Sequence, residues 1–140
     1  MKITEIRTII SWAGLRNWVL IKVITDKGIY GWGEATLEHK EETVQACIKE
    51  IGATLIGEDP LASEFHWQVL YRHGFWRGGV VLNTALAGLD QALWDIKGRQ
   101  AGMPVYDLVG GKCREAADCY SHASGADIAQ LSDDALAVQV

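Results

Sequence analysis

The chain has 140 residues, with 13 Lys+Arg against 18 Asp+Glu and a formal net charge of −5, the length of one domain or one domain with a short extension. Hydrophobic residues make up 49% and charged residues 22%, with six Trp, so there is material for a packed core rather than a disordered segment. The acidic balance argues against a nucleic-acid binder, which needs clustered Lys and Arg to displace counterions from phosphates.

Cys47, Cys113 and Cys119 are odd in number and stand at unrelated spacings, without a CxxC pair. Neither a disulfide framework nor a structural zinc site is indicated, and a reducing cytoplasm is the expected location. Met1-Lys2-Ile3-Thr4-Glu5 carries an acid where a secretory leader would carry an apolar run, and no stretch approaches the roughly 20 apolar residues of a membrane span. No membrane partner is expected.

Residues 2–10 and 18–25 read as strands because β-branched residues dominate, with Val19, Ile21 and Val23 alternating against Leu20, Lys22 and Ile24. Thr25-Asp26-Lys27-Gly28 supplies a turn, and residues 29–34 form a third strand, so the chain opens as an antiparallel meander. Residues 11–17 form a loop longer than a tight hairpin needs, the kind of connection that carries function. From Glu41, the residues Val44, Cys47, Ile48, Ile51 and Leu55 follow helical spacing, with Gly57 just past the end.

Asp59-Pro60 reads as the cap and first position of a helix running through Phe65, Val69 and Arg72. A third helix is expected over residues 84–100, with Leu86, Leu89, Leu93 and Ile96 on one face and the small Ala85, Gly88 and Ala92 on another. Gly102 and Pro104 end it. Beyond a compact connection at 105–111, residues 116–121 have strand character, and Ser132-Asp133-Asp134 reads as the cap of a helix whose apolar residues are only beginning at Val140.

Gly31-Trp32-Gly33 lacks the third glycine and the following helix of a dinucleotide fingerprint, and Gly78-Gly79 and Gly110-Gly111 read as turns. His39, His66, His73 and His122 show no metal-ligand spacing. His66 and His73, seven apart on the second helix, mark a solvated or partly packed face. His122 follows the expected strand 116–121, where ligands bind in parallel α/β architectures; a loop histidine bonded to backbone is the competing reading.

Glu34, Glu38 and His39 cluster after the third strand, either as hydroxyl-binding or acid/base groups or as charges favoured by a helix N-terminus. Phe75-Trp76-Arg77-Gly78-Gly79 suits a lid or an interface better than a core. Asp90 and Asp95 project about 140° apart around a helix and read as structural.

The segment Gly88-Leu-Asp-Gln-Ala-Leu-Trp-Asp-Ile-Lys-Gly-Arg-Gln-Ala-Gly-Met-Pro-Val-Tyr-Asp-Leu-Val-Gly-Gly111 resembles the mandelate racemase/muconate lactonizing enzyme branch of the enolase superfamily. The resemblance extends through Gly31-Trp-Gly-Glu34, Leu55-Ile-Gly-Glu-Asp-Pro60 and Trp67-Gln-Val-Leu-Tyr-Arg72, in order along nearly the whole chain. Within that branch, Tyr71-Arg-His-Gly-Phe-Trp-Arg-Gly-Gly79 and Tyr120-Ser-His-Ala-Ser-Gly125 are similar to acid-sugar dehydratases of the galactonate and mannonate type.

The resemblance implies an α+β capping domain over residues 1–112, a three-stranded antiparallel meander followed by a helical bundle. Residues 113–140 would begin a (β/α)8 barrel that this chain does not complete. It implies an Mg²⁺-dependent hydro-lyase that removes the proton α to a carboxylate and eliminates water to give a 2-keto-3-deoxy sugar acid. The metal ligands and base would lie beyond Val140, so no catalytic or metal residue is assigned here and the 140 residues alone are expected to be inactive. The resemblance assigns substrate binding to His122, to Glu38 with its neighbour His39, to Arg16 and Trp12 in the loop between the first strands, and to Trp76. His39 stands where relatives commonly have glycine. A sugar-acid substrate and a homo-oligomer are expected; a racemase or epimerase, or a non-catalytic binding or oligomerisation module, are the alternatives.

Overall fold

A computed structural model describes residues 1–72, 74–120, 122–123 and 125–137. Its sheet has three antiparallel strands in the order β1 (Ile3–Trp12), β2 (Asn17–Thr25) and β3 (Tyr30–Glu34). Alternation along β2 buries Val19, Ile21, Val23 and Thr25 against the helices and turns Trp18, Lys22 and their neighbours outward. The β1–β2 connection is shorter than the expected 11–17 loop. Trp12 pairs with Asn17, and the Ala13 N–H donates to the Arg16 carbonyl at 2.9 Å, leaving a tight turn in which Gly14 takes φ +91°.

Helix α1 (Glu41–Gly52) places Val44, Cys47 and Ile48 in the core and runs into a 3₁₀ turn at Ala53–Leu55, with Gly57 at φ +86° beyond it. The second helix, α2 (Ser63–Arg72), starts later than Asp59-Pro60 suggested. Asp59 instead closes a turn: its side-chain Oδ1 accepts from the Leu61 N–H at 3.1 Å, its carbonyl from the Ala62 N–H. That carbonyl also accepts from His66 Nε2 at 2.8 Å, and His66 is only 3% exposed. His66 is thus a hydrogen-bonded core histidine rather than part of a solvated face; His73 lies outside the described residues.

Helix α3 (Val80–Ala101) begins four residues earlier than expected and ends as expected, with Gly102 left-handed at φ +66° and its N–H returned to Arg99. Both of its predicted faces are used. Leu89, Leu93 and Ile96 fill the core with Ile3, Ile21, Ile48 and Leu55, while the small face meets the glycines of β3. A Cβ on Gly33 would lie 1.9 Å from the Gly88 carbonyl oxygen, and one on Gly31 2.0 Å from that of Ala92. Backbone therefore packs on backbone, and any side chain at either position would force the strand and helix apart.

The same helix closes the outer edge of β3. Asp95 Oδ2 accepts from the Trp32 N–H at 2.9 Å, and Gln91 Oε1 from the Glu34 N–H at 3.0 Å. Asp95 also accepts from Arg99 Nε at 3.0 Å, which bears out its structural reading. A short helix, α4 (Val105–Leu108), follows.

Residues 116–120 form no strand, since a strand is stabilised by a paired neighbour and these residues have none; Ser121 lies outside the described residues. Helix α5 (Ile128–Ala137) starts before the expected cap at Ser132. Its cap is Asp127, whose Oδ1 accepts from the Gln130 N–H at 2.9 Å. Among the described residues no helix is long and apolar enough to cross a membrane.

Two substitutions test this packing. Gly33→Ala is expected to cost more than about 3 kcal/mol or to prevent folding, because a Cβ set against backbone cannot be relieved by a rotamer change. Asp95→Ala is expected to cost about 1–2 kcal/mol by leaving the Trp32 N–H without its charged acceptor. Urea unfolding followed by tryptophan fluorescence reads both, and unchanged midpoints would refute the close-contact account.

Candidate functional site

Past β3, the Ala35 N–H donates to the Val19 carbonyl at 2.8 Å and Thr36 Oγ1 accepts from the Val19 N–H at 3.1 Å. These bonds hold residues 35–36 against β2 and deliver Leu37 and Glu38 beside the β1–β2 turn. There Arg16 Nη1 meets Glu38 Oε1 at 2.5 Å, with both side chains about half exposed. The two segments wall an open groove of about 660 Å³ lined by Ala13, Leu15, Arg16, Trp18, Glu34, Thr36, Leu37 and Glu38.

An exposed ion pair of this kind contributes at most about 1 kcal/mol. Its chemistry matters more than its stability. Arg16 offers a planar fork for a carboxylate, and Glu38 offers acceptors for hydroxyl groups. A ligand bearing both could exchange with the pair at small cost.

The other residues assigned by sequence are not gathered there. His39 follows Glu38 but turns away, lining a separate depression with Ile10, Asn17 and Glu41, and its N–H donates to Glu41 Oε1 at 3.3 Å. Its φ of +61° makes it the one non-glycine left-handed residue among those described, a backbone conformation that glycine adopts without the Cβ penalty. Trp12 ends β1 opposite Asn17, 65% exposed and outside the groove lining. Trp76, 83% exposed and edge-on to Phe75 at 5.2 Å, borders a different cleft of about 230 Å³ with Ile51, Val69 and Leu82.

His122 is exposed, its ring edge-on to Tyr120 at 5.5 Å, and it does not line the groove. The hydrogen bonds of residues 112–130 given by the structure run within that segment or to Gly111. Sequence reasoning missed Leu15, Trp18 and Thr36 as lining residues; the strand alternation that turns Trp18 outward was the available signal.

Asp90, half-buried on α3, has its carboxyl raised above the ordinary range by burial and then by Glu64, with Lys97 opposing. Among the described residues no group of three or more His, Cys, Asp or Glu could hold a metal ion.

Two expectations follow. Because folded Asp90 binds its proton more tightly than the unfolded chain does, its contribution to unfolding free energy falls as pH rises from the ordinary carboxylate value through the raised one. Denaturant titrations upward from about pH 4, the ordinary carboxylate value, to about neutrality should show Asp90→Asn abolishing that component, and parallel curves would refute it. His39→Gly is expected to stabilise the fold by about 0.5–1 kcal/mol, the left-handed penalty less glycine's entropy, read from the same unfolding curves.

The sequence profile of the mandelate racemase / muconate lactonizing enzyme N-terminal domain matches residues 5–110. The chain is 47% identical over 133 residues to a D-galactonate dehydratase of Variovorax paradoxus, covering 93% of this chain and 34% of that protein. It is 49% identical over 131 residues to a D-mannonate dehydratase of Novosphingobium aromaticivorans, covering 93% and 32%. A crystal structure of an enolase from Pantoea ananatis with bound D-gluconate and Mg superposes with a TM-score of 0.88 at 46% identity, covering 97% of this chain and 33% of that one. The chain thus spans about a third of the length of the relatives it matches. With a meander, a helical layer and a domain profile that agree over residues 5–110, the chain belongs to the mandelate racemase / muconate lactonizing enzyme family, as its N-terminal domain.

Proposed function

We propose that the chain is the capping part of an acid-sugar dehydratase, a hydro-lyase that removes the proton α to a carboxylate and eliminates water to give a 2-keto-3-deoxy acid. The observation that carries this reading is the likeness, at a TM-score of 0.88 and 46% identity, to a structure holding D-gluconate and Mg. Supporting it, Arg16 and Glu38 stand together at the rim formed by the β1–β2 turn and the segment after β3, with groups suited to a carboxylate and hydroxyls.

The reaction requires a strong electrophile, because an α-proton beside a carboxylate is very weakly acidic. The described residues of this chain do not fit a divalent cation, so in this reading Mg²⁺ and the acid/base groups are held by other residues and no chemical step is assigned to this chain. Its own part is binding and enclosure. Arg16 orients an anionic or hydroxylated substrate, Glu38 accepts from a hydroxyl, and the apolar Leu15 and Trp18 exclude water. Residues 113–137 are read as the start of the barrel, with His122 as a further substrate contact there, while Trp12, Trp76 and His39 act from the surrounding surface.

In the full-length protein supplied with Mg²⁺, D-galactonate, D-gluconate or D-mannonate is expected to yield the 2-keto-3-deoxy acid. Turnover of none of them would overturn the dehydratase reading, and solvent deuterium entering the α-carbon without loss of water would assign a racemase or epimerase instead. Arg16→Ala is expected to raise KM about tenfold or more with a smaller effect on kcat, since one charged contact formed before the chemical step is removed. An unchanged KM would remove Arg16 from the site.

A further inference from the structure

Three ionisable side chains line the groove at the β1–β2 turn: Arg16, Glu34 and Glu38. Arg16 and Glu38 neutralise each other, whereas Glu34 has no such partner. It ends β3 opposite Leu20, its N–H is taken by Gln91 Oε1 at 3.0 Å, and its side chain stands on the outward face of the sheet with Leu20 and Trp18. Lys22, on the same face, is turned towards other groups: its Nζ lies 3.9 Å from the centre of the Tyr30 ring and 5.3 Å from that of Trp32. Arg7, opposite Lys22, is held by Glu5. Among the described residues Glu34 is in no ion pair.

With one Arg against two Glu, the groove carries a negative charge in excess. Its hydrogen-bonding sense is equally one-sided. An ionised carboxylate only accepts, so Glu34 and Glu38 call for hydroxyl donors. Thr36 Oγ1 accepts from the Val19 N–H at 3.1 Å and still has its own proton to donate into the groove it lines. A hydroxyl group satisfies both sides, donating to a Glu and accepting from Thr36. A carboxylate donates nothing and is repelled. Nor does Arg16 give it a way in, because a carboxylate that displaced Glu38 from the guanidinium would leave two unpaired acids beside itself.

We propose that Glu34 is a specificity-determining residue: it makes the groove take the neutral, hydroxylated end of a monocarboxylic sugar acid and turn away an acid sugar that carries a second carboxylate at that end. The inference rests on the dehydratase reading and adds to it which end of the substrate this domain meets. The reacting carboxylate is left to the rest of the protein. Arg16 then serves by holding Glu38 as a fixed acceptor, Thr36 supplies the matching donor, and Glu34 supplies the charge that separates a terminal hydroxyl from a terminal carboxylate.

The test uses the full-length protein with Mg²⁺, the monocarboxylic sugar acid it turns over, and the diacid with a carboxylate in place of the terminal CH₂OH, galactarate in the case of D-galactonate. The diacid is expected to compete with a Ki about tenfold or more above the KM of the monoacid. Glu34→Gln keeps the shape, removes the charge, and is expected to lower that Ki/KM ratio about tenfold, while Glu34→Asp keeps the charge and is expected to preserve it. Raising salt from about 0.05 M to about 0.5 M should narrow the ratio in the wild type more than in Glu34→Gln, because screening acts on the charge and not on the shape. A ratio near one in the wild type, a ratio unmoved by Glu34→Gln, or an equal loss in Glu34→Gln and Glu34→Asp would overturn the proposal and leave the dehydratase reading in place. Turnover of no acid sugar would remove that reading and this inference with it.

Discussion

The contact of strand β3 with helix α3 is the constraint on which the rest of the domain depends. Gly31 and Gly33 present bare backbone to Gly88 and Ala92, with no room for a Cβ on the strand. This closeness sets how deeply α3 lies on the sheet, and so where Leu89, Leu93 and Ile96 reach between Ile21 and Ile48 to make one core. It also brings Asp95 and Gln91 within hydrogen-bond reach of the β3 edge. A bulkier pair of residues would lose the core depth and the edge closure together.

From that anchored edge the meander runs to an open one. Edge strands expose unpaired backbone groups, and proteins cover or blunt them. Here one edge is closed by side chains of the domain's own longest helix, while along the other the outward backbone groups of Ile6, Thr8 and Ile10 have no backbone partner among the described residues. The asymmetry is built into the topology, because α3 lies against β3 while α1 packs beside β1.

The candidate site sits at the far end of the same sheet, where the β1–β2 turn meets the chain leaving β3. Nothing buried depends on the Arg16–Glu38 pair, and its half-exposed setting makes it a weak contributor to stability. That is a sensible place for a ligand contact, since the scaffold loses little when the pair opens. His39 lies just beyond it in a strained backbone conformation, at the point where the chain must turn sharply to enter α1.

Much of the architecture was legible in the residues. The alternation of β2, the helical spacing of Val44 to Leu55, and the small and large faces of α3 each reflect a local period that burial on one side imposes. Motifs in order along the chain identified the family. Boundaries were less legible: Asp59 was read as a helix cap and makes a turn, and Ser132 was read as a cap where Asp127 serves, because any short polar side chain can bond nearby N–H groups and only the folded backbone decides which. Of the candidate site residues, Arg16 and Glu38 were named from the sequence, but their meeting was not foreseeable, since they lie on segments brought together through β-pairing with β2. Sequence alone thus determined the periods, the glycines and the family; tertiary structure decided the reason for Gly31 and Gly33, the burial of His66 and the pairing of Arg16 with Glu38, because each of these is a contact between segments that no local pattern records.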